Sequence, residues 1–231
     1  MKELHVSEGG IADEILRVFD SEKPVIMFQL PSVYTLFAPP TKAGAAALNE
    51  VKQRLTGKNY GTAIGSLNSF SAMAMENTLP SELNNPEALK LLTGAFIKIN
   101  IAPVDFNSVV VRNGTHQGVL LSAPHRDVFI EIEEGLKHAA EPELFYGNHC
   151  AAPLCTSANQ SGDPLGSITD WERAYRFAKD RNVPLVIRSE KANGTAGSYP
   201  IFHLTPEKIS VKRSGPGEEE IKRKLPQHLF E

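Results

Sequence analysis

The sequence predicts a layered α/β domain, and three observations point to it. Stretches with apolar residues at helical spacing alternate with short, continuously apolar or β-branched runs, as helices packed on a sheet require. The chain has 231 residues of which 41% are hydrophobic, enough for one substantial core with nothing forcing a division into two. It shows no internal repeat, low-complexity tract or coiled-coil heptad. Residues 1–231 are therefore read as a single domain, with Pro226 to Glu231 as a loosely held tail.

The elements follow in order. Ile11, Ile15, Leu16, Val18 and Phe19 recur at the spacing of an amphipathic helix. Pro24 to Leu30, with the unbroken run Val25-Ile26-Met27-Phe28, reads as a buried strand. Ala45, Ala46, Leu48, Val51 and Leu55 predict a helix over Lys42 to Leu55, and Gly57 offers its stop. Tyr60 to Leu67 reads as a strand. Ser69 to Asn85 has no clear period, because Pro80 and the polar run Ser81 to Asn85 interrupt it. Pro86 to Phe96 suggests a short helix, and Ser108 to Arg112 a strand rich in β-branched residues. His125 to Ala139 is a helix with Val128, Phe129, Ile132 and Leu136 inward; Glu131, Glu133 and Glu134 form a solvated face, and His125 caps the start at the surface. Ile168 to Lys179 is another helix, with Trp171, Ala174, Tyr175 and Ala178 on its core face. Strands at Pro184 to Arg188, Ile201 to Leu204 and Ile209 to Lys212 complete the series, and Glu218 to Glu220 would favour the N-terminus of a last helix.

Composition excludes several classes. The net charge of −3 gives no general attraction to nucleic acid, so a phosphate site must be a local basic patch. Cys150 and Cys155 are too few for a disulfide framework, and His149 beside Cys150 lacks a second pair of ligands, so no metal site is assigned. No apolar run approaches the ~20 residues of a membrane helix. The acidic segment Met1 to Gly10 lacks the basic and apolar regions of a signal peptide, which makes the cytoplasm the expected compartment.

Two segments carry candidate chemistry. Behind the apolar run Ala151 to Leu154, Cys155-Thr156-Ser157-Ala158-Asn159-Gln160-Ser161-Gly162 places hydroxyls, a carboxamide and a glycine where a strand ends. Such groups carry donors without charge and suit a phosphate or carboxylate that is neutralised from elsewhere. Taken alone, the same residues also describe an ordinary Ser/Asn turn. Lys52, Arg54 and Lys58 cluster about a hundred residues upstream at the end of a helical pattern, where cations also complement the helix dipole.

Taken together, four segments in order resemble the YrdC/YciO family: Lys52-Gln53-Arg54-Leu55-Thr56-Gly57-Lys58, Val109-Val110-Val111-Arg112, Pro153-Leu154-Cys155-Thr156-Ser157-Ala158-Asn159 and Val211-Lys212-Arg213-Ser214-Gly215-Pro216. The resemblance spans about residues 24–225 and implies a small helix over Glu218 to Leu225 after the last segment. Its departures fall on ligand-contacting segments. The family's opening Pro-Thr-(Glu/Asp)-(Thr/Ser)-Val-Tyr-Gly-Leu stands here as Gln29-Leu30-Pro31-Ser32-Val33-Tyr34-Thr35-Leu36. The proline after Lys-x-Arg is Leu55, and Tyr60 to Leu67 contains no histidine, where threonine-binding members often have one.

The resemblance implies a twisted mixed sheet with helices packed on it and a concave ligand-binding surface. It also implies a nucleotidyltransferase that joins L-threonine, bicarbonate and ATP to give threonylcarbamoyl-adenylate and pyrophosphate, for tRNA modification. Lys52, Arg54, Lys58, Ser157, Asn159 and Arg213 would then hold the nucleotide and its phosphates. Ser32, Tyr34 and Arg112 would face the amino acid. Mg²⁺ would arrive with ATP, and no side chain is assigned as a general acid or base, because positioning and electrostatics can supply the effect. The alternative it leaves open is a member that binds nucleotide, tRNA or double-stranded RNA without the threonine reaction, or that uses another small amine.

Overall fold

The structure is a computed structural model and describes residues 1–53, 59–190 and 196–230. Ten strands among the described residues form one mixed sheet: β1 (Lys2–His5), β2 (Ile26–Gln29), β3 (Tyr34–Ala38), β4 (Gly61–Ile64), β5 (Ala95–Asn100), β6 (Thr115–Leu120), β7 (Leu154–Ser157), β8 (Leu185–Arg188), β9 (Ile201–Leu204) and β10 (Ile209–Arg213). Their order across the sheet is β1-β8-β2-β3-β7-β4-β6-β5-β9-β10. Seven α-helices accompany them among the described residues: α1 (Ile11–Phe19), α2 (Lys42–Lys52), α3 (Leu67–Ala72), α4 (Pro86–Leu89), α5 (His125–Leu136), α6 (Trp171–Asp180) and α7 (Glu218–Lys224).

The sheet divides two apolar layers, because successive side chains of a strand point to opposite faces. On one face Ile26, Phe28, Phe37 and Val119 meet Ile11, Ile15 and Phe19 of α1 and Phe129 and Ile132 of α5. On the other, Met27, Leu36, Ile97 and Phe202 meet Ala45, Leu48 and Val51 of α2, Ala174 and Ala178 of α6 and Ile221 of α7. Strand β2, buried on both sides, is apolar from Ile26 to Phe28 and ends in the buried Gln29, whose Oε1 accepts from Ser189 N, and its apolar run is why it was legible. No helix among the described residues is long and apolar enough to cross a membrane.

Helix α2 bears on the site. Thr41 caps it, its Oγ1 accepting from Gly44 N at 2.9 Å. A Cβ on Gly44 would stand 2.2 Å from the Pro39 carbonyl oxygen, so the helix lies against that backbone only because position 44 is glycine. The helix ends at Lys52, short of the expected Leu55, with Gln53 in the left-handed conformation at φ 47°. The expected stop at Gly57 lies outside the described residues.

Other expectations are corrected. Ser108 to Arg112 is not a strand: the Ser108 hydroxyl accepts from Val110 N at 3.1 Å and Val111 N at 3.0 Å, folding the segment into a turn. The ladder forms one segment later, in β6, paired with β5, which occupies part of the span read as helix because α4 stops at Leu89. Strands β1 and β3 were also unforeseen. Glu133 is not solvated; it is buried and accepts from Gly65 N at 2.6 Å and Ser66 N at 3.0 Å. Burial pushes its carboxyl up to about 7. His125 is likewise buried, its ring centroid 5.7 Å from that of Phe28, and burial lowers its pKa. Tyr175 is exposed, leaving Ala174 and Ala178 as the inward face of α6. The C-terminal residues pack rather than hang free: Leu229 is buried and the ring of Phe230 stands edge-on to Phe202.

Candidate functional site

Beyond the last turn of α2, one face of the sheet opens onto a cavity of about 400 Å³. Strand register brings its lining together: Thr35 pairs with Ser157, Gly61 with Cys155, and Lys98 with Gln117. All six residues line the cavity. Gly61 keeps its floor open, since a Cβ there would come within 2.8 Å of Phe96 Cε1 and 3.1 Å of the Gln117 carbonyl oxygen.

One corner is built by α2 and the end of β7. Lys52 is buried, and its ammonium donates to the Ser157 carbonyl and, at 2.9 Å, to Asn159 Oδ1. The Ser157 hydroxyl donates to the same Asn159 oxygen at 2.7 Å. Ser161 N in turn donates to the Lys52 carbonyl at 3.2 Å, so the turn and the helix end hold one another. Ala158 points into the core and its N–H pairs with Tyr34 O, which leaves Ser157 and Asn159 on the cavity side.

A second wall comes from the hairpin before β6. Arg112 and Thr115 pair around Asn113 and Gly114, both at positive φ (49° and 70°), the arrangement of a two-residue Asn-Gly hairpin turn. This sets Arg112 at the cavity lip. His116, fully buried, holds the wall in place. Its Nδ1 donates to the Val110 carbonyl at 2.9 Å, so Nε2 is the acceptor for the Thr62 hydroxyl at 2.9 Å. Burial pushes its pKa down to about 4, which keeps the ring neutral.

Lys98 and Arg213 add positive charge. Arg213 donates through Nε and Nη2 to the Tyr199 carbonyl at 3.1 and 2.7 Å, and its guanidinium lies 5.8 Å from the centre of the Phe96 ring. No Asp or Glu is among the described residues that line the cavity. In a chain of net charge −3, that makes the cavity a local attractor for anions. The buried hydroxyls of Ser161 and Tyr199 line it, and these two and the buried Ser32 hydroxyl have no hydrogen-bond partner among the described residues. Buried polar groups of this kind are ordinarily satisfied by a ligand or water. Burial pushes the Tyr199 phenol up to about 12, so it remains a donor.

Of the sequence-predicted residues, Lys52, Ser157, Asn159, Arg112 and Arg213 line this one cavity. Ser32 is buried in the turn between β2 and β3, its carbonyl accepting from Gly197 N. Tyr34 is a correction. Strand alternation sends Thr35 to the cavity and Tyr34 to the core, where its ring lies 6.3 Å from that of Trp171. Arg54 and Lys58 lie outside the described residues. Sequence reasoning missed Lys98, His116 and Tyr199, whereas Ser161 belongs to the segment it singled out and lines the cavity. The Asn113-Gly114 pair was the available signal for the hairpin that positions His116. Among the described residues, no three His, Cys, Asp or Glu side chains are grouped to hold a metal ion.

No family model and no curated protein sequence matches the chain. Solved structures do. P. abyssi Sua5 complexed with L-threonine superposes with a TM-score of 0.66 at 18% identity, over 100% of this chain and 63% of that one. E. coli YciO gives 0.64 at 15% identity, over 95% and 96%. HypF in its phosphate- and nucleotide-bound form gives 0.57 at 15% identity, over 86% of this chain and 28% of that one. The chain thus spans less than two thirds of Sua5 and nearly all of YciO. A mixed ten-stranded sheet with helices on both faces and a cavity on one of them gives this divergent sequence the fold of the Sua5/YciO/YrdC proteins.

Proposed function

We propose that the cavity binds ATP with its Mg²⁺ and transfers the adenylyl group to the carbamate of a small amine, L-threonine being the acceptor that the family resemblance implies. The observation that carries this reading is the corner where Lys52, Ser157 and Asn159 meet at the rim of a cavity that no Asp or Glu lines among the described residues. The solved neighbours support it: one holds L-threonine, another phosphate and nucleotide.

In this reading the carbamate oxygen attacks the α-phosphorus, the bond to the bridging oxygen of the β-phosphate breaks, and pyrophosphate leaves with Mg²⁺. The chain brings two anions together and offsets their repulsion with Lys52, Arg112 and Arg213. Ser157, Asn159 and Ser161 orient phosphate oxygens, and the neutral His116 fixes the wall that carries Arg112. The carbamate is already an anion, so no side chain has to remove a proton. The adenylate would serve tRNA threonylcarbamoylation.

The test incubates the chain with ATP, Mg²⁺, bicarbonate and labelled L-threonine or other amines, and follows pyrophosphate and the adenylate. Release that requires both bicarbonate and an amine supports the reading. The inward-facing Tyr34 and the altered β2–β3 turn favour a second one: binding of nucleotide, tRNA or double-stranded RNA without this chemistry. ATP binding with no pyrophosphate from any amine would select it.

A further inference from the structure

The cationic face of the sheet does not stop at the nucleotide corner. Strand register carries it outward in one row: Gln117 on β6 pairs with Lys98 on β5, Lys98 with His203 on β9, and His203 with Ser210 on edge strand β10. Paired residues project from the same face, and Gln117 and Lys98 line the cavity, so His203 faces the same side. The bulge between Val211 and Arg213 turns Lys212 out beside this row, and Arg112 stands at its inner end on the cavity lip.

These groups feel one another. Lys98 has its pKa lowered by burial and then by the charges of Lys212 and Arg112; His203 has its own lowered by burial and then by Lys98 and Lys212. Among the described residues none of the four forms a salt bridge with an acid. His203 Nε2 is buried with no hydrogen-bond partner among the described residues. Clustered cations without a counter-charge, around an unpartnered ring nitrogen, repel one another until an anion arrives.

We propose that Lys98, His203 and Lys212, with Arg112 at the lip, form a second oxyanion subsite that receives a carboxylate or phosphate group. It is separate from the Lys52–Asn159 corner. Ser157 and Lys98 are three strands apart, on the order of 14 Å at ordinary strand spacing, which is too far for one such group to touch both. The cavity therefore takes two anionic groups, on one extended ligand or on two ligands side by side. Lys98 and Lys212 supply charge, and His203 Nε2 supplies a directed hydrogen bond that bulk counter-ions do not satisfy.

Inorganic phosphate and acetate, each titrated at constant ionic strength, test the subsite without reference to ATP. The readout is the imidazole resonance of His203, assigned among the seven histidines with His203→Gln. A saturable shift with either anion is the expected result, phosphate and acetate distinguishing the preferred group. The apparent dissociation constant should rise by about tenfold in Lys98→Gln and in Lys212→Gln, and stay unchanged in Lys52→Gln. Lys212 is exposed, so its variant keeps the test open should Lys98→Gln fold poorly. A non-saturable shift with both anions, or the parent's affinity retained in both lysine variants, would overturn the subsite. Loss of ATP binding with the His203 shift intact would count against the nucleotide reading alone.

Discussion

The ammonium of Lys52 lies 2.9 Å from the carboxamide oxygen of Asn159, 107 residues further along the chain. The contact joins the C-terminal turn of α2, where the helix dipole favours a cation, to the turn that follows β7. With the Ser161 N–H returning to the Lys52 carbonyl, it fixes which atoms of the turn face the cavity.

Lys52 therefore has a structural as well as a ligand role, and Lys52→Ala should register in both. Removing a buried ammonium leaves the Ser157 carbonyl and Asn159 Oδ1 short of a donor, which costs about 1–3 kcal/mol. The denaturant midpoint should fall, and ATP should bind more weakly. An unchanged midpoint would mean that water replaces the lysine and the corner is not held by it.

Gly61→Ala probes the cavity floor. The added methyl would lie 2.8 Å from Phe96 Cε1, so the ring must shift or the strand must move. Overpacking of this kind costs about 1–3 kcal/mol, and the displaced ring would enter the space assigned to the ligand. Melting temperature and ATP titration together test this. Wild-type affinity in a stable variant would place the nucleotide elsewhere in the cavity.

The reach of the sequence follows from what each element needed. Helices α1 and α5 and strands β2, β8, β9 and β10 were legible because each carries its own period or a continuous apolar run, while α7 was expected from the family resemblance. Strands β5 and β6 were not. Phe96 continued a helical pattern that Gly94, at φ 92°, breaks, and β6 holds His116 and Gly118 at positions filled by long-range contacts. The corner of Lys52, Ser157 and Asn159 was legible because three residue types at fixed spacing carry it. Lys98 and Tyr199 were not, since strand register alone brings Lys98 to the cavity and the segment ahead of β9 brings Tyr199. Tyr34 failed for the same reason: a shift of one residue reverses the face of a strand, and no motif encodes that parity.

Two buried titratable groups give opposite pH dependences. His116 falls from 6.5 to about 4, so the unfolded chain binds more protons between those values and stability is lost as pH drops through them. Glu133 rises from 4.5 to about 7, so its contribution is complete below 4.5 and is lost as pH climbs towards 7. Glu133→Gln removes only the second. Relative to the parent, its stability should improve by something on the order of 3 kcal/mol between pH 4.5 and 7. Urea midpoints across that range measure it, and parallel profiles would show that Glu133 ionises as freely as in the unfolded chain.

Ser157→Ala separates binding from chemistry. The hydroxyl donates to Asn159 Oδ1 at 2.7 Å, and its removal leaves the Lys52 contacts to the Ser157 carbonyl and Asn159 in place. The corner should keep its shape, and ATP affinity should change little. What is lost is one constraint on Asn159, whose NH₂ group donates to the Gln160 carbonyl at 2.9 Å and has one further hydrogen to offer a phosphate oxygen. A donor aimed where charge develops acts mainly in the transition state, so pyrophosphate release should fall by about 10²-fold while the KM for ATP moves far less. Asn159→Ala should lower turnover further and also weaken ATP, because it strips an acceptor from Lys52 as well. Equal losses in affinity and turnover for Ser157→Ala would make the turn a binding element only, and with it the reading of the cavity as a place where ATP is held rather than cleaved.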